Sequence, residues 1–107
     1  MKLLMGSIAV VAVMLSGQAQ AKVDMAAGQA LAQKSGCMAC HKVEGKLVGP
    51  GFKEVAAKYK GNKTAEDMLV AKVTKGGSGT WGTMAMPPNP KVAPADMKKL
   101  VEWVLAH

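Results

Sequence analysis

The sequence predicts an all-α domain of four short helices and one long ordered loop, and three observations carry that prediction. Four segments repeat their apolar residues at helical spacing. No stretch alternates with period two for long enough to demand a sheet. Glycine and proline gather in one stretch, Gly76 to Pro94, which reads as a loop of functional length. A leader stands apart from this pattern. Lys2 precedes an uncharged apolar run from Leu3 to Leu15, and Ala19-Gln20-Ala21 then supplies the small-x-small pattern of a signal-peptidase site. The run is shorter than the roughly 20 residues a helix needs to cross a hydrocarbon core. Residues 1–21 are therefore expected to be a cleaved secretory signal rather than an anchor, and residues 22–107 a single exported domain.

Asp24 is placed to cap the first helix, which runs to Lys34 with Ala27, Ala30, Leu31 and Lys34 at helical spacing. Gly28 lies inside it. A mid-helix glycine costs about 1 kcal/mol relative to alanine, so its use is to let another helix approach closely. Phe52, Val55, Ala56 and Tyr59 mark a second helix, ended around Lys60-Gly61-Asn62. Thr64-Ala65-Glu66-Asp67 reads as a capping box that opens a third, with Leu69 and Val73 inward and a stop at Gly76-Gly77. Pro94 starts the fourth, whose apolar stripe is Met97, Leu100, Val101, Val104 and Leu105.

So short a chain buries a small core, and the whole sequence has only four aromatic residues, Phe52, Tyr59, Trp81 and Trp103. Domains of this size usually need a metal, disulfides or a large prosthetic group. The formal net charge is +7, every basic residue is lysine, and there is no arginine. Most of that charge serves solubility, and it also suits partners with acidic docking faces. Nucleic acid is excluded as a partner by the export signal and by lysines scattered without aromatic stacking platforms.

Cys37-Met38-Ala39-Cys40-His41 carries the chemistry. On a helical turn, cysteines three apart face the same way and can each add to a vinyl group of one haem. A histidine four on from the first can reach the iron from that face. Three other uses of the motif are weaker. A Cys37–Cys40 disulfide would close too small a loop to stabilise much. A thioredoxin-like pair needs a βαβ context that is absent. A zinc site wants a fourth ligand, and only His107 is left. The motif therefore implies one covalent haem c, with Cys37 and Cys40 as thioethers and His41 on the iron.

The other face of the iron decides the function, since a vacant position allows enzymatic or sensing chemistry and a filled one leaves electron transfer. Met25, Met68 and Met97 sit on helices as core filler, and Met38, between the cysteines, is expected to be exposed. Met86 lies in the long loop immediately before Pro87-Pro88, two residues that hold the chain extended without donating backbone hydrogen bonds. Met84 is its rival, and position beside the prolines favours Met86 without closing the choice. A terminal His107 is a poor candidate for a second histidine ligand.

Val48-Gly49-Pro50, Phe52 to Tyr59, Gly79-Thr80-Trp81-Gly82 and Met86-Pro87-Pro88-Asn89 follow the CMACH motif in a recognisable order and spacing. The chain resembles the small monohaem class I bacterial cytochromes c, the cytochrome c-551/c-552 group, from about Met25 to His107. The resemblance implies a class I cytochrome c fold, about four short helices wrapped around one haem, and it implies Met86 as the second axial ligand. It also implies that the Pro50 carbonyl accepts a hydrogen bond from His41, that the Trp81 indole donates to a haem propionate, and that Asn89 lies near the Met86 sulfur. Trp103 becomes structural, on a C-terminal helix that crosses the first near Gly28. Four positions depart from the pattern. Ala85 stands where proline is usual, Met84 replaces a β-branched residue, Gly51 stands where alanine is commoner, and Ala93-Pro94 lacks a polar cap.

The expected function is that of a soluble, monomeric, periplasmic one-electron carrier with a low-spin His/Met haem, not an enzyme. Its partners would be other redox proteins, a donor and an acceptor, with Lys42, Lys46 and Lys91 among the docking lysines and no stable membrane insertion. The alternatives are a haem peroxidase or small-ligand-binding haem protein, and a permanent electron-transfer subunit of a larger reductase or oxidase. A peroxidase wants distal His and Arg groups, which this chain lacks.

Overall fold

The computed structural model describes residues 23–107, so the expected leader and its cleavage after Ala21 lie outside the described residues. Four α-helices form where the apolar periodicity places them: α1 (Met25–Lys34), α2 (Phe52–Lys58), α3 (Ala65–Lys75) and α4 (Pro94–Leu105), with a short 3-10 turn at Cys37–Ala39. Asp24 caps α1, its Oδ1 accepting from the Ala27 N–H at 2.9 Å. Gly36 then adopts a left-handed conformation, φ 81°, and turns the chain into the 3-10 segment. Among the described residues the only β-type pairing is an isolated antiparallel bridge between Gly77 and Met86.

The fourth helix is the hub, and α1, α2 and α3 all pack on it. Trp103 is 1% exposed, and a Cβ on Gly28 would overlap its ring, so glycine sets the closeness of the α1–α4 crossing. The Trp103 indole N–H donates to the Met25 carbonyl at 3.0 Å and locks the crossing. One cluster joins Ala32, Phe52, Leu100 and Trp103, and a second joins Val55, Leu69 and Val101 across α2, α3 and α4.

Several local expectations shift. The buried stripe of α1 runs through Gly28 and Ala32, with Leu31 half-buried and Ala27 and Ala30 exposed, because the Trp103 ring chooses the face. Thr64 forms no capping box. Its N–H and hydroxyl both donate to the Asn62 Oδ1, at 2.9 and 2.8 Å, so the hydroxyl lone pairs are not aimed at the helix amides. Glu66 and Asp67 in the first turn still complement the helix dipole. Met97 is core, 1% exposed, but Met25 and Met68 are exposed at 40% and 43%. Met38 is half-buried against the first cluster rather than exposed. The start of α4 lacks a side-chain cap, as its sequence implies, and Pro94 occupies its first turn.

Candidate functional site

The 3-10 turn folds the cysteine motif so that the Cys40 and His41 N–H groups both donate to the Cys37 carbonyl, at 3.3 and 3.0 Å. Cys37, Cys40 and His41 thereby border one cavity of about 950 Å³. The chain beyond them is stapled back onto the turn. The Val48 and Gly49 N–H groups donate to the Cys40 carbonyl, and the Phe52 N–H donates to the Lys42 carbonyl at 2.9 Å. This brings Pro50 to the histidine, whose Nδ1 lies 2.8 Å from the Pro50 carbonyl oxygen. A carbonyl only accepts, so Nδ1 carries the proton and Nε2 keeps its lone pair for a metal. Two contacts that sequence reasoning did not single out fix the plane of the ring. Phe52 stacks on it with centroids 5.2 Å apart and planes 23° apart. Gly49 packs so close that a Cβ there would overlap the imidazole. The Gly-Pro pair before the Phe52 helix was the available signal for both.

Met86 borders the same cavity from the loop between α3 and α4. The loop is pinned by more than its prolines. Gly77 and Met86 exchange both backbone hydrogen bonds, at 3.0 and 2.8 Å, and the Gly79 N–H donates to the Gly82 carbonyl at 2.8 Å. Gly76, at φ 73°, turns the end of α3 into this pairing, and a Cβ there would crowd the Met86 carbonyl oxygen. Asn89 fastens the far side. Its N–H donates to the Thr74 carbonyl, and its Nδ2 donates to the Val73 carbonyl at 3.1 Å and the Pro87 carbonyl at 3.2 Å. Asn89 therefore ties the Met86 strap to the end of α3. Met84 also borders the cavity but is 70% exposed, whereas Met86 is half-buried.

Trp81 lies on the rim, 39% exposed, with the Lys58 ammonium 5.5 Å from its ring centroid. Of the three lysines expected at the docking face, Lys46 borders the cavity; Lys42 and Lys91 are exposed but do not. Lys72 and Lys75, at the end of α3, do. Burial pushes the Cys37 thiol up from its ordinary pKa, against its own backbone hydrogen bond. A catalytic or redox-exchanging thiol is activated in the opposite direction. His107 is not at the cavity: its Nδ1 lies 2.8 Å from the Trp103 carbonyl oxygen, and its ring packs on Trp103.

A largely apolar cavity of this size, with two free thiols, a histidine presenting Nε2 and a thioether on its walls, fits a haem. Known proteins agree. The family profile named Cytochrome c matches residues 25–107. Cytochrome c-551 of Allochromatium vinosum is 60% identical over 75 residues, 70% of this chain and 80% of that protein. Cytochrome c-552 of Nitrosomonas europaea is 45% identical over 101 residues, 94% of this chain and 92% of that protein. The crystal structure of wild-type cytochrome c552 from Nitrosomonas europaea superposes with a TM-score of 0.70 at 48% identity, covering 72% of this chain and 95% of that one.

The chain belongs to the cytochrome c family. Within it, the chain is a small class I monohaem cytochrome of the c-551/c-552 kind, all-α, with one covalently bound haem c. It is an electron carrier rather than an enzyme, and it works with redox partners.

Proposed function

We propose that this cytochrome is a soluble periplasmic one-electron carrier whose iron is held between His41 and Met86. The observation that carries the reading is the single cavity shared by Cys37, Cys40, His41 and Met86, with the His41 Nδ1–H fixed on the Pro50 carbonyl. Cys37 and Cys40 would be the thioether residues, and the exposed Trp81 at the rim would serve a propionate. When bound, the haem supplies a ferric/ferrous couple. The chain's own part is to keep the surroundings of that couple unchanged as the charge changes. Phe52, Gly49 and Pro50 hold the His41 ring, while the Gly77 pairing and Asn89 hold the Met86 backbone. Methionine is a soft donor that favours ferrous iron, so the potential should lie well above that of a bis-histidine site. Residues 1–21 would direct export and be removed. Lys46, Lys72 and Lys75 at the cavity rim would meet acidic faces on donor and acceptor proteins, one monomer at a time.

The test is spectroscopic. Met86→Ala should abolish the sulfur-to-iron charge-transfer band of the oxidised protein and let carbon monoxide bind rapidly to the reduced form. Met84→Ala should leave both as in the native protein. The opposite pattern would put Met84 on the iron, and rapid carbon monoxide binding by the native protein would remove the carrier reading altogether.

A further inference from the structure

Eight residues separate His41 from Pro50, and Gly45 and Gly49 among them give the stretch little stiffness of its own. Residues 41–45 are instead fastened to residues 50–54 by a series of contacts. The His41 Nδ1 meets the Pro50 carbonyl oxygen at 2.8 Å. The Phe52 and Lys53 N–H groups donate to the Lys42 and Val43 carbonyls, both at 2.9 Å. The Lys53 ammonium pairs with the Glu44 carboxylate. The Gly45 N–H donates to the Glu54 Oε1 at 2.9 Å. Partner numbers differ by nine or ten throughout, so these contacts form one ladder, with the His41–Pro50 bond at one end and Glu54 at the other. The Glu54 rung is tightly built, because a Cβ on Gly51 would overlap the Glu54 carboxylate and the Gly45 backbone. Gly45 is also where the chain leaves the ladder to loop back toward Pro50. Held there, it leaves only Lys46 and Leu47 before the Val48 and Gly49 N–H groups, which are bonded to the Cys40 carbonyl. Glu44, Gly45, Lys53 and Glu54 do not border the haem cavity, so this end reaches the iron site only along the ladder.

We propose that Glu54 is a positioning residue for the electron-transfer site: its hydrogen bond to Gly45 fixes the register of the ladder and so keeps the Pro50 carbonyl on the His41 Nδ1–H. The proposal rests on the reading that His41 bonds the iron. A hydrogen bond from Nδ1 orients the ring and makes Nε2 more basic toward the metal. A firmer bond therefore favours ferric iron. Loosening the far rung loosens the near one, and the couple moves toward ferrous iron.

The experiment measures two quantities on holoprotein well below its thermal midpoint. One is the solvent-exchange rate of the His41 Nδ1–H in the reduced protein, by NMR; the other is the redox equilibrium against a reference couple. Glu54→Ala should speed the exchange by about fivefold, the factor that one ordinary hydrogen bond is worth. It should also shift the equilibrium by about twofold toward reduced iron. Glu54→Gln keeps a side-chain oxygen without the charge, and should recover most of both effects. Asp24→Ala removes a matched carboxylate–amide bond, also of 2.9 Å, at the start of α1 and outside the ladder. It should lower the thermal midpoint and leave both quantities at their native values. Native exchange in Glu54→Ala would overturn the proposal. So would an effect of Glu54→Gln as large as that of Glu54→Ala, which would make the charge responsible, or an equal rise in Asp24→Ala, which would make it a general loss of stability. If His41 does not bond the iron, its ring protons in the native reduced protein will lack the haem-induced shifts of an axial ring. That result would remove the ligand reading, and the proposal with it, before any variant is made.

Discussion

The imidazole of His41 is held by a carbonyl at one edge, a phenyl ring stacked on it and a bare backbone against it. Pro50 decides which nitrogen is protonated, Phe52 limits tilt, and Gly49 leaves room for the ring where any side chain would displace it. Gly49→Ala should therefore act on the site as an overpacked core does. Its methyl group would push the ring off the Pro50 carbonyl, at a cost of about 1–3 kcal/mol. Denaturant unfolding followed at the haem absorption should show a lowered midpoint, with the axial-ligand bands altered in the native protein as well. Unchanged bands would mean that the ring is free to move and that Pro50, not Gly49, sets its position. The sequence alone made Pro50 legible only through the family resemblance. Gly49 and Phe52 escaped because a glycine before a proline and an aromatic on a helix each have ordinary uses in a loop and a core.

Among the elements, the α1–α4 crossing and the α3–α4 contact respond to opposite kinds of change. At the crossing, Gly28→Ala would gain about 1 kcal/mol of helix propensity. It would also overlap a Trp103 ring that is fully buried and fixed by its hydrogen bond to Met25. Overpacking of a fixed ring costs about 1–3 kcal/mol, so the net effect should be a lower thermal midpoint by calorimetry, where a helix-propensity argument alone predicts a higher one. At the α3–α4 contact, partial burial raises the Glu66 pKa above the usual carboxylate value, and the hydrogen bond and charge of Glu102 raise it further; Lys98 opposes them. The folded protein thus holds the Glu66 proton more tightly than the unfolded chain does. That contribution is present below the ordinary glutamate pKa and is lost as pH rises through the raised value. Near neutrality the two carboxylates repel, and Glu66→Gln should stabilise the protein slightly there, with no gain in acid. Solvent screening keeps the effect small. A thermal midpoint measured against pH checks the sign. Helix positions were legible from periodicity, but these contacts were not, since periodicity says which face is apolar and not which residue meets it. The α1 face shows this: Ala27 and Ala30 fit the spacing as well as Gly28 and Ala32 do, and only the Trp103 ring distinguishes them.

For the whole molecule the question is what keeps four short helices apart. The described core has nine buried apolar residues, seven of them in two small clusters, beside a cavity of about 950 Å³. A core this small is at the lower limit for a domain of this length, and the haem supplies the missing interior bulk; the amino-acid sequence shows as much in its shortage of aromatic residues. On the proposed attachment, Cys37 and Cys40 make that component permanent. Replacing both in a Cys37→Ala, Cys40→Ala double variant should remove covalent attachment and leave a chain with little cooperative structure at room temperature. Circular dichroism on the haem-free variant should show helix content well below that of the native protein and no sharp thermal transition. Adding free haem should restore part of the helix signal, because the proposed ligands His41 and Met86 remain, with a midpoint that now depends on haem concentration. A cooperative, haem-independent transition in the double variant would show that the two clusters around α4 are sufficient, and that the cavity is a tolerated space in a scaffold able to stand without its cofactor.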